Sequence, residues 1–363
     1  MTEIKQNKRV PEIELMKAVA IIDMVLVHTL EGSWDSLNNA DTGIAYLVFY
    51  LIEFIGGIFG GGGFMFAMGW GAAYSDKATA KSYLKRFIQL VLLGLFVNIF
   101  EELVPGIIDP ENYGPVSDFP YAILAVDIYF YAALFMLVFA LFKLLKDNEK
   151  VKMIISIGMV TVFFIVNTLV PARSFTTGND WADTLMGLFI RENDYSYFPM
   201  VTWGIYTLAG YWLAKGYRKM NDRRNYAIML FIVGLPILVL SEIMVTVNNL
   251  PHEVLNPGGY DEEFYYAMHS WSMLGGFGLL CLELLLYMGI MQLSKQRIHK
   301  FFLFLSKNVT FLYVAQWVVL GFLYPSLGKI ENIWINNLVA IAILITICLA
   351  CLLKDRIKER IKS

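Results

Sequence analysis

Tyr226–Val247 reads YAIMLFIVGLPILVLSEIMVTV, an apolar run with one acidic side chain, Glu242, and no basic one. A bilayer core about 30 Å thick needs about 20 mostly apolar residues per helix, because backbone N–H and C=O groups must pair within the segment where water is absent. Tyr226–Val247 meets that demand as a membrane-crossing helix. Lys215, Arg218, Lys219, Arg223 and Arg224 stand before it, and basic residues collect in cytoplasmic loops, so the run starts on the inner side.

Working outward, similar segments lie near Ile13–Leu30, Ile44–Tyr74, Ser82–Val104, Phe119–Phe142, Val151–Val170, Phe198–Lys215, Phe264–Leu293, Phe301–Leu323 and Asn332–Leu353. The sequence therefore predicts an all-α integral membrane protein of about ten transmembrane helices. With both termini cytoplasmic, only Arg173, Arg191 and Lys329 of the 29 Lys and Arg fall outside. An extra span at the second segment would invert every later loop and destroy this pattern. That segment is long for one straight span, and Gly56-Gly57 and Gly60–Gly63 predict a broken helix there.

Composition agrees: 57% hydrophobic, 17% charged and a mean hydropathy of +0.56 are remote from an ordinary soluble domain. One polytopic domain over residues 1–363 is expected, with a polar outer loop at 171–197 and a basic cytoplasmic tail at 354–363. Lys5, Lys8 and Arg9 precede an apolar stretch as in a signal peptide, but Asp23 and His28 within it and the lack of a clear cleavage site predict a retained first span. Nothing resembles a nucleic-acid footprint. Cys281, Cys348 and Cys351 lie in apolar runs and read as packing residues.

Ionisable groups inside spans cost several kcal/mol unless paired or wetted, which makes each a functional candidate. Asp23, His28, Glu53, Asp127, Glu242, His269 and Glu283 are such groups, and His28, Asp127, Glu242 and His269 fall in the outer half of the membrane. His28 is the candidate general base, since imidazole titrates near neutrality and can take a proton and return it. The plain alternative is an interfacial histidine. Asp127 or Glu242 is a candidate to orient it, against the alternative of a helix-to-helix hydrogen bond. His269, beside Trp271, is a second catalytic candidate or a member of the aromatic belt. At the inner face, Lys17, Lys85 and Arg86 either set topology and meet anionic lipid or hold the phosphates of a nucleotide-bearing cofactor.

The order of several motifs resembles the transmembrane acyltransferase superfamily, closest to the heparan-α-glucosaminide N-acetyltransferase-like group and more distantly acyltransferase family three. EIELMKAVAIIDMVLVH, Glu12 to His28, is similar to the opening helix of these families: an acidic residue, an Arg, ten residues, then His, with Lys17 in the place of Arg. Gly63-Phe-Met-Phe-Ala-Met-Gly69 resembles the Phe-rich second span. Arg86 to Gly94, followed by Asn98, resembles the basic start of the third. The run from Tyr197 and Pro199 through Trp203 and Tyr206 to Gly210 is similar to the Phe-Pro…Trp…Tyr…Gly signature of the heparan-like group. Leu305 to Gln316 resembles a late span that often ends in His.

The resemblance implies transfer of an acyl group, usually acetyl from acetyl-CoA, to a hydroxyl or amine of a sugar- or lipid-linked acceptor at the outer side of a cell membrane. It makes His28 the catalytic histidine, Lys17, Lys85 and Arg86 candidates for the CoA phosphates, and Trp203 and Tyr206 cavity-lining residues. No metal is expected. Acyl-CoA, the acceptor and membrane lipids are the expected partners, with a homodimer an allowed assembly. Two other classes compete: a transporter or flippase that uses the intramembrane ionisable groups as a proton or substrate path, and a non-catalytic acyl-CoA- or lipid-binding homologue.

Overall fold

A computed structural model gives the fold and describes residues 9–31, 44–113, 122–146, 148–170, 177–190, 196–220, 222–252, 254–255, 268–327, 330 and 332–362. Among these, all regular structure is helical. The chain runs through α1 (Pro11–Glu31), α2 (Ile44–Phe54), a π-helical stretch Ile55–Gly62, α3 (Gly63–Tyr74), α4 (Ala80–Asn98), a π turn Ile99–Leu103 and α5 (Val104–Ile108). It continues through α6 (Pro110–Tyr113), α7 (Ile128–Leu144), α8 (Glu149–Leu169), α9 (Asp180–Met186) and α10 (Met200–Lys219). The last elements are α11 (Arg223–Val247), α12 (Ser270–Leu293), α13 (Gln296–Leu327) and α14 (Ile333–Lys362).

Seven helical stretches among the described residues are long and apolar enough to cross a bilayer, and α7 is a shorter apolar helix. Two of the expected spans, Ile13–Leu30 and Phe198–Lys215, lack that apolar signature, for a physical reason. Their helices, α1 and α10, are enclosed by protein: Met16, Ala18 and Ile21 of α1 and Trp203, Tyr206 and Ala214 of α10 are fully buried. A helix that meets protein instead of lipid can carry polar groups wherever a partner receives them. The peripheral helices show the opposite habit, as in the exposed Leu338, Ile341, Ile345, Leu349 and Leu352 of α14, spaced along one face.

Hydrophobic burial drives little association between helices in lipid, so contact depends on close approach at small residues. Gly69 and Gly210 provide it: a Cβ on Gly69 would overlap the Thr207 carbonyl, and one on Gly210 the Phe66 carbonyl, so α3 and α10 meet backbone to backbone. The predicted break is present in the second segment, where Gly57 leaves the helical region at ψ −110°. Asp23 packs against this break, its Oδ2 2.9 Å and 3.3 Å from where a Cβ at Gly56 and Gly60 would stand.

The basic loops gather at one end of the bundle. Arg218 grips Asp76 through two bonds of 2.9 and 3.1 Å, and Lys143 donates to the Ser75 carbonyl at 2.8 Å. Lys215 pairs with Glu149, Arg223 with Glu12, and Lys354 donates to Asn308 at 3.1 Å. Arg173, Arg191 and Lys329, the basic residues expected outside, lie beyond the described residues.

Candidate functional site

Lys17 and His28 are eleven residues apart on α1, about 16 Å along the axis and within about 20° of the same face. α13 runs beside and parallel to α1, because Ser306 donates to Glu14 near one end and Gln316 contacts His28 further along. α7 enters from the opposite direction. Asn98 pins its start, donating at 2.9 Å to the carbonyls of both Ile123 and Ala125, and so delivers Asp127 to the buried N-cap of α7.

Between these helices lies a cavity of about 230 Å³. Its wall includes Lys17 of α1, Phe64, Met65 and Met68 of α3, Arg86 and Leu90 of α4, Ile128, Tyr129, Tyr131 and Met136 of α7, and Thr310 and Tyr313 of α13. Lys17 and Arg86 give it a cationic end toward the basic side of the bundle, and the rest is largely apolar. Lys17 is partly held by Glu14 at 3.0 Å. The tyrosines are fixed by their hydroxyls, as buried phenols require. Tyr129 donates to the Thr310 carbonyl at 3.2 Å, while Tyr131 donates to the Trp203 carbonyl at 3.1 Å and shares a 2.6 Å bond with the Thr207 hydroxyl.

Tyr313 joins this cavity to His28. Its ring lies edge-on to the imidazole with centroids 6.1 Å apart, it lines the cavity, and its hydroxyl donates to Asp127 Oδ1 at 2.8 Å. Trp317 covers the imidazole from 4.6 Å, and Gln316 Nε2 contacts His28 Nδ1. Two carboxylates absent from the sequence-based candidates complete the group. Glu102 accepts from the Tyr197 hydroxyl at 3.2 Å and lies within electrostatic reach of Asp127, as Glu101 does of Tyr313. Both sit on the π turn Ile99–Leu103. Their sequence signal was two adjacent acids at the end of an apolar run.

The structure thus brings together Lys17, Arg86, His28 and Asp127, but with a different wiring from that expected: Asp127 bonds Tyr313, and the side chain touching His28 is Gln316. Lys85 is exposed and outside the cavity wall. Trp203 and Tyr206 are fully buried core residues behind that wall, Trp203 through its carbonyl bond from Tyr131. His269 caps α12, its Nδ1 accepting from Trp271 N at 3.4 Å. Glu242 is occupied by His252 at 2.7 Å, and the Glu53 side chain lies outside the described residues. Asp23 faces the glycine break instead of the His28 group. Among the described residues no group of three or more His, Cys, Asp and Glu side chains is placed to hold a metal ion.

No curated protein and no solved structure matches the chain. The pattern of acyltransferase family three, described as an acyltransferase domain, matches residues 10–356, nearly the whole length. The match is to the family that the motif order resembled more distantly; the likeness to the heparan-like group rests on its motifs alone. Its coverage takes in α1 with Lys17 and His28, the cavity helices and the Gln316 end of the site, so the chain belongs to acyltransferase family three and is a membrane acyltransferase.

Proposed function

We propose that the protein moves an acyl group, acetyl in the first instance, from cytoplasmic acyl-CoA to a hydroxyl or amine of a sugar- or lipid-linked acceptor at the outer side of a cell membrane. In this reading ten spans place both termini inside. The observation that carries it is the shared wall of the cavity: Lys17 and Arg86 at one end, and Tyr313, in ring contact with His28, at the other. CoA is too highly charged to cross lipid, whereas its pantetheine arm is slender. A Lys point charge and an Arg fork suit its phosphates, and an apolar bore suits the arm. The reaction forms a bond from the acceptor oxygen or nitrogen to the thioester carbon and breaks the C–S bond, and the acceptor's proton ends on the CoA sulfur. His28 is the residue proposed at the reacting carbonyl. The motifs shared with the heparan-like group support a sugar acceptor.

The test is transfer from labelled acetyl-CoA by wild type, His28→Ala and His28→Gln, with protection of each protein by CoA against heat measured in parallel. Loss of a positioned catalytic group typically costs about a hundred- to ten-thousandfold in rate. His28→Ala should lose turnover on that scale and keep CoA protection, and near-normal transfer by it would make His28 structural. Transfer kept by His28→Gln alone would show that a hydrogen-bond donor suffices at this position. The burial of Asp23 and Glu283 beside the glycine break favours the transporter reading as the second choice, and acyl transfer by protein in detergent, with no gradient present, separates the two.

A further inference from the structure

We infer that Gln316 is a positioning residue that holds neutral His28 with its ring proton on Nε2, so that His28 meets the reacting carbonyl as a hydrogen-bond donor. The consequence for the reaction rests on the acyl-transfer reading above. The tautomer itself rests on the contacts alone.

A neutral imidazole has one N–H and one lone pair, and whatever occupies one nitrogen fixes the state of the other. Gln316 is fully buried on α13, so its amide cannot turn to solvent. Its two ends differ, one being a donor and the other an acceptor. The backbone of α1 decides which end faces His28: Gln316 Nε2 donates to the Met24 carbonyl at 3.4 Å, and the same nitrogen meets His28 Nδ1. Turning the amide over would set Oε1 against the Met24 oxygen, acceptor to acceptor, in a fully buried place. In the observed orientation Oε1 is buried without a hydrogen-bond partner among the described residues. Turned over, the amide would still be mismatched and would be repelled as well. Nδ1 therefore accepts, and the ring proton lies on Nε2. Trp317 at 4.6 Å and the edge of Tyr313 at 6.1 Å hold the ring in place.

The general base expected from the sequence needs a bare lone pair on the nitrogen that faces substrate. With Nδ1 occupied by Gln316, the remaining nitrogen carries a proton. Such a group suits the thioester oxygen, where negative charge grows as the acceptor attacks, and removal of one preorganised donor of this kind costs about a hundred- to a thousandfold in turnover.

The direct test is the ring nitrogen chemical shifts of full-length protein labelled with ¹⁵N-histidine in lipid bilayers, with the His28 signals assigned by their absence in His28→Gln. An unprotonated Nδ1 with a protonated Nε2 is expected; a protonated Nδ1 with a bare Nε2 would overturn the inference, and neither result depends on activity. Gln316→Glu then tests the consequence, since a carboxylate accepts from Nδ1–H and moves the lone pair to Nε2. Transfer should fall about a hundred- to a thousandfold with CoA protection unchanged and the nitrogen shifts inverted. Equal or faster transfer by Gln316→Glu with inverted shifts would show that His28 acts as a base. Absence of transfer in wild type would defeat the acyl-transfer reading while leaving the tautomer measurement to stand or fall alone.

Discussion

Lys85 and Arg86 are neighbours in sequence, and on a helix neighbours diverge by about 100°, so only one of them can share a wall with Lys17. Arg86 does. A hydrogen bond to a charged group contributes about 1.5–3 kcal/mol, so Arg86→Ala should weaken CoA binding by roughly tenfold or more, measured calorimetrically, whereas Lys85→Ala should leave it near wild type. Equal losses in the two variants would remove the cavity from the CoA path. A second prediction concerns Asp127 and Tyr313, which bond each other at 2.8 Å in a buried place. Asp127→Ala strands the phenol and should lower stability by about 1–3 kcal/mol. Adding Tyr313→Phe should recover part of the loss, because partners in one bond are non-additive; strictly additive unfolding data would show that the bond contributes nothing. That Lys17, Arg86, His28 and Asp127 are candidates was legible from charge and depth, and the structure places them in one group. Their wiring was not, since a carboxylate and an imidazole in the same membrane half give no sign of the tyrosine and glutamine that stand between them. Trp203 and Tyr206, from the Phe-Pro…Trp…Tyr…Gly motif, are fully buried and outside the cavity wall, for an aromatic at helical spacing reads the same in a core as on a cavity wall.

Elements bring these residues into register through a few close approaches. The π turn Ile99–Leu103 carries Glu101 and Glu102 to the Asp127 group, and Gly321 of α13 lies against it: a Cβ there would overlap the Phe100 carbonyl. Gly321→Ala should displace the turn, lowering both thermal stability and transfer. Gly289→Ala is the matched control, since a Cβ there meets nothing within 4 Å; it should leave transfer intact and raise stability by up to about 1 kcal/mol through helix propensity. Identical melting temperatures for the two variants would mean that the turn tolerates the extra carbon. The glycine-rich break after α2 was readable because six glycines mark it. The π turn was not, because apart from its two acids its residues are those of an ordinary apolar helix.

At the scale of the whole molecule, lipid and protein compete as the surroundings of each helix, and the hydropathy of a helix reports which of them it faces. The peripheral helices were legible for that reason, while α1, the helix that carries Lys17 and His28, holds Glu12, Glu14, Lys17 and Asp23 and falls outside the apolar set, which its enclosure by protein permits. The expectation of a first span at Ile13–Leu30 rests on the length of its apolar run, and the sign pattern of the loops serves to fix the count and orientation. The contacts Arg218–Asp76, Lys143–Ser75, Lys215–Glu149 and Arg223–Glu12 gather several of those loops at one end of the bundle. The outer loop then gives a sharp test of orientation. Asp180 is exposed, whereas Asp183, three residues on, is buried and accepts from Thr177 N at 2.8 Å and its hydroxyl at 2.6 Å. In intact cells, Asp180→Cys should react with an impermeant maleimide and Asp183→Cys should react far more slowly. Tags at either terminus should be reached only after the membrane is opened. Cys281 and Cys351 are buried, and Cys348, which is half-buried, is replaced by Ala to keep the background low. Labelling of a terminal tag from outside, with a silent Cys at 180, would invert the orientation, put Lys17 and Arg86 on the side that lacks CoA, and end the cytoplasmic-donor reading. Equal labelling at 180 and 183 would leave the orientation in place and show instead that position 183 does not stay buried once its two bonds from Thr177 are removed.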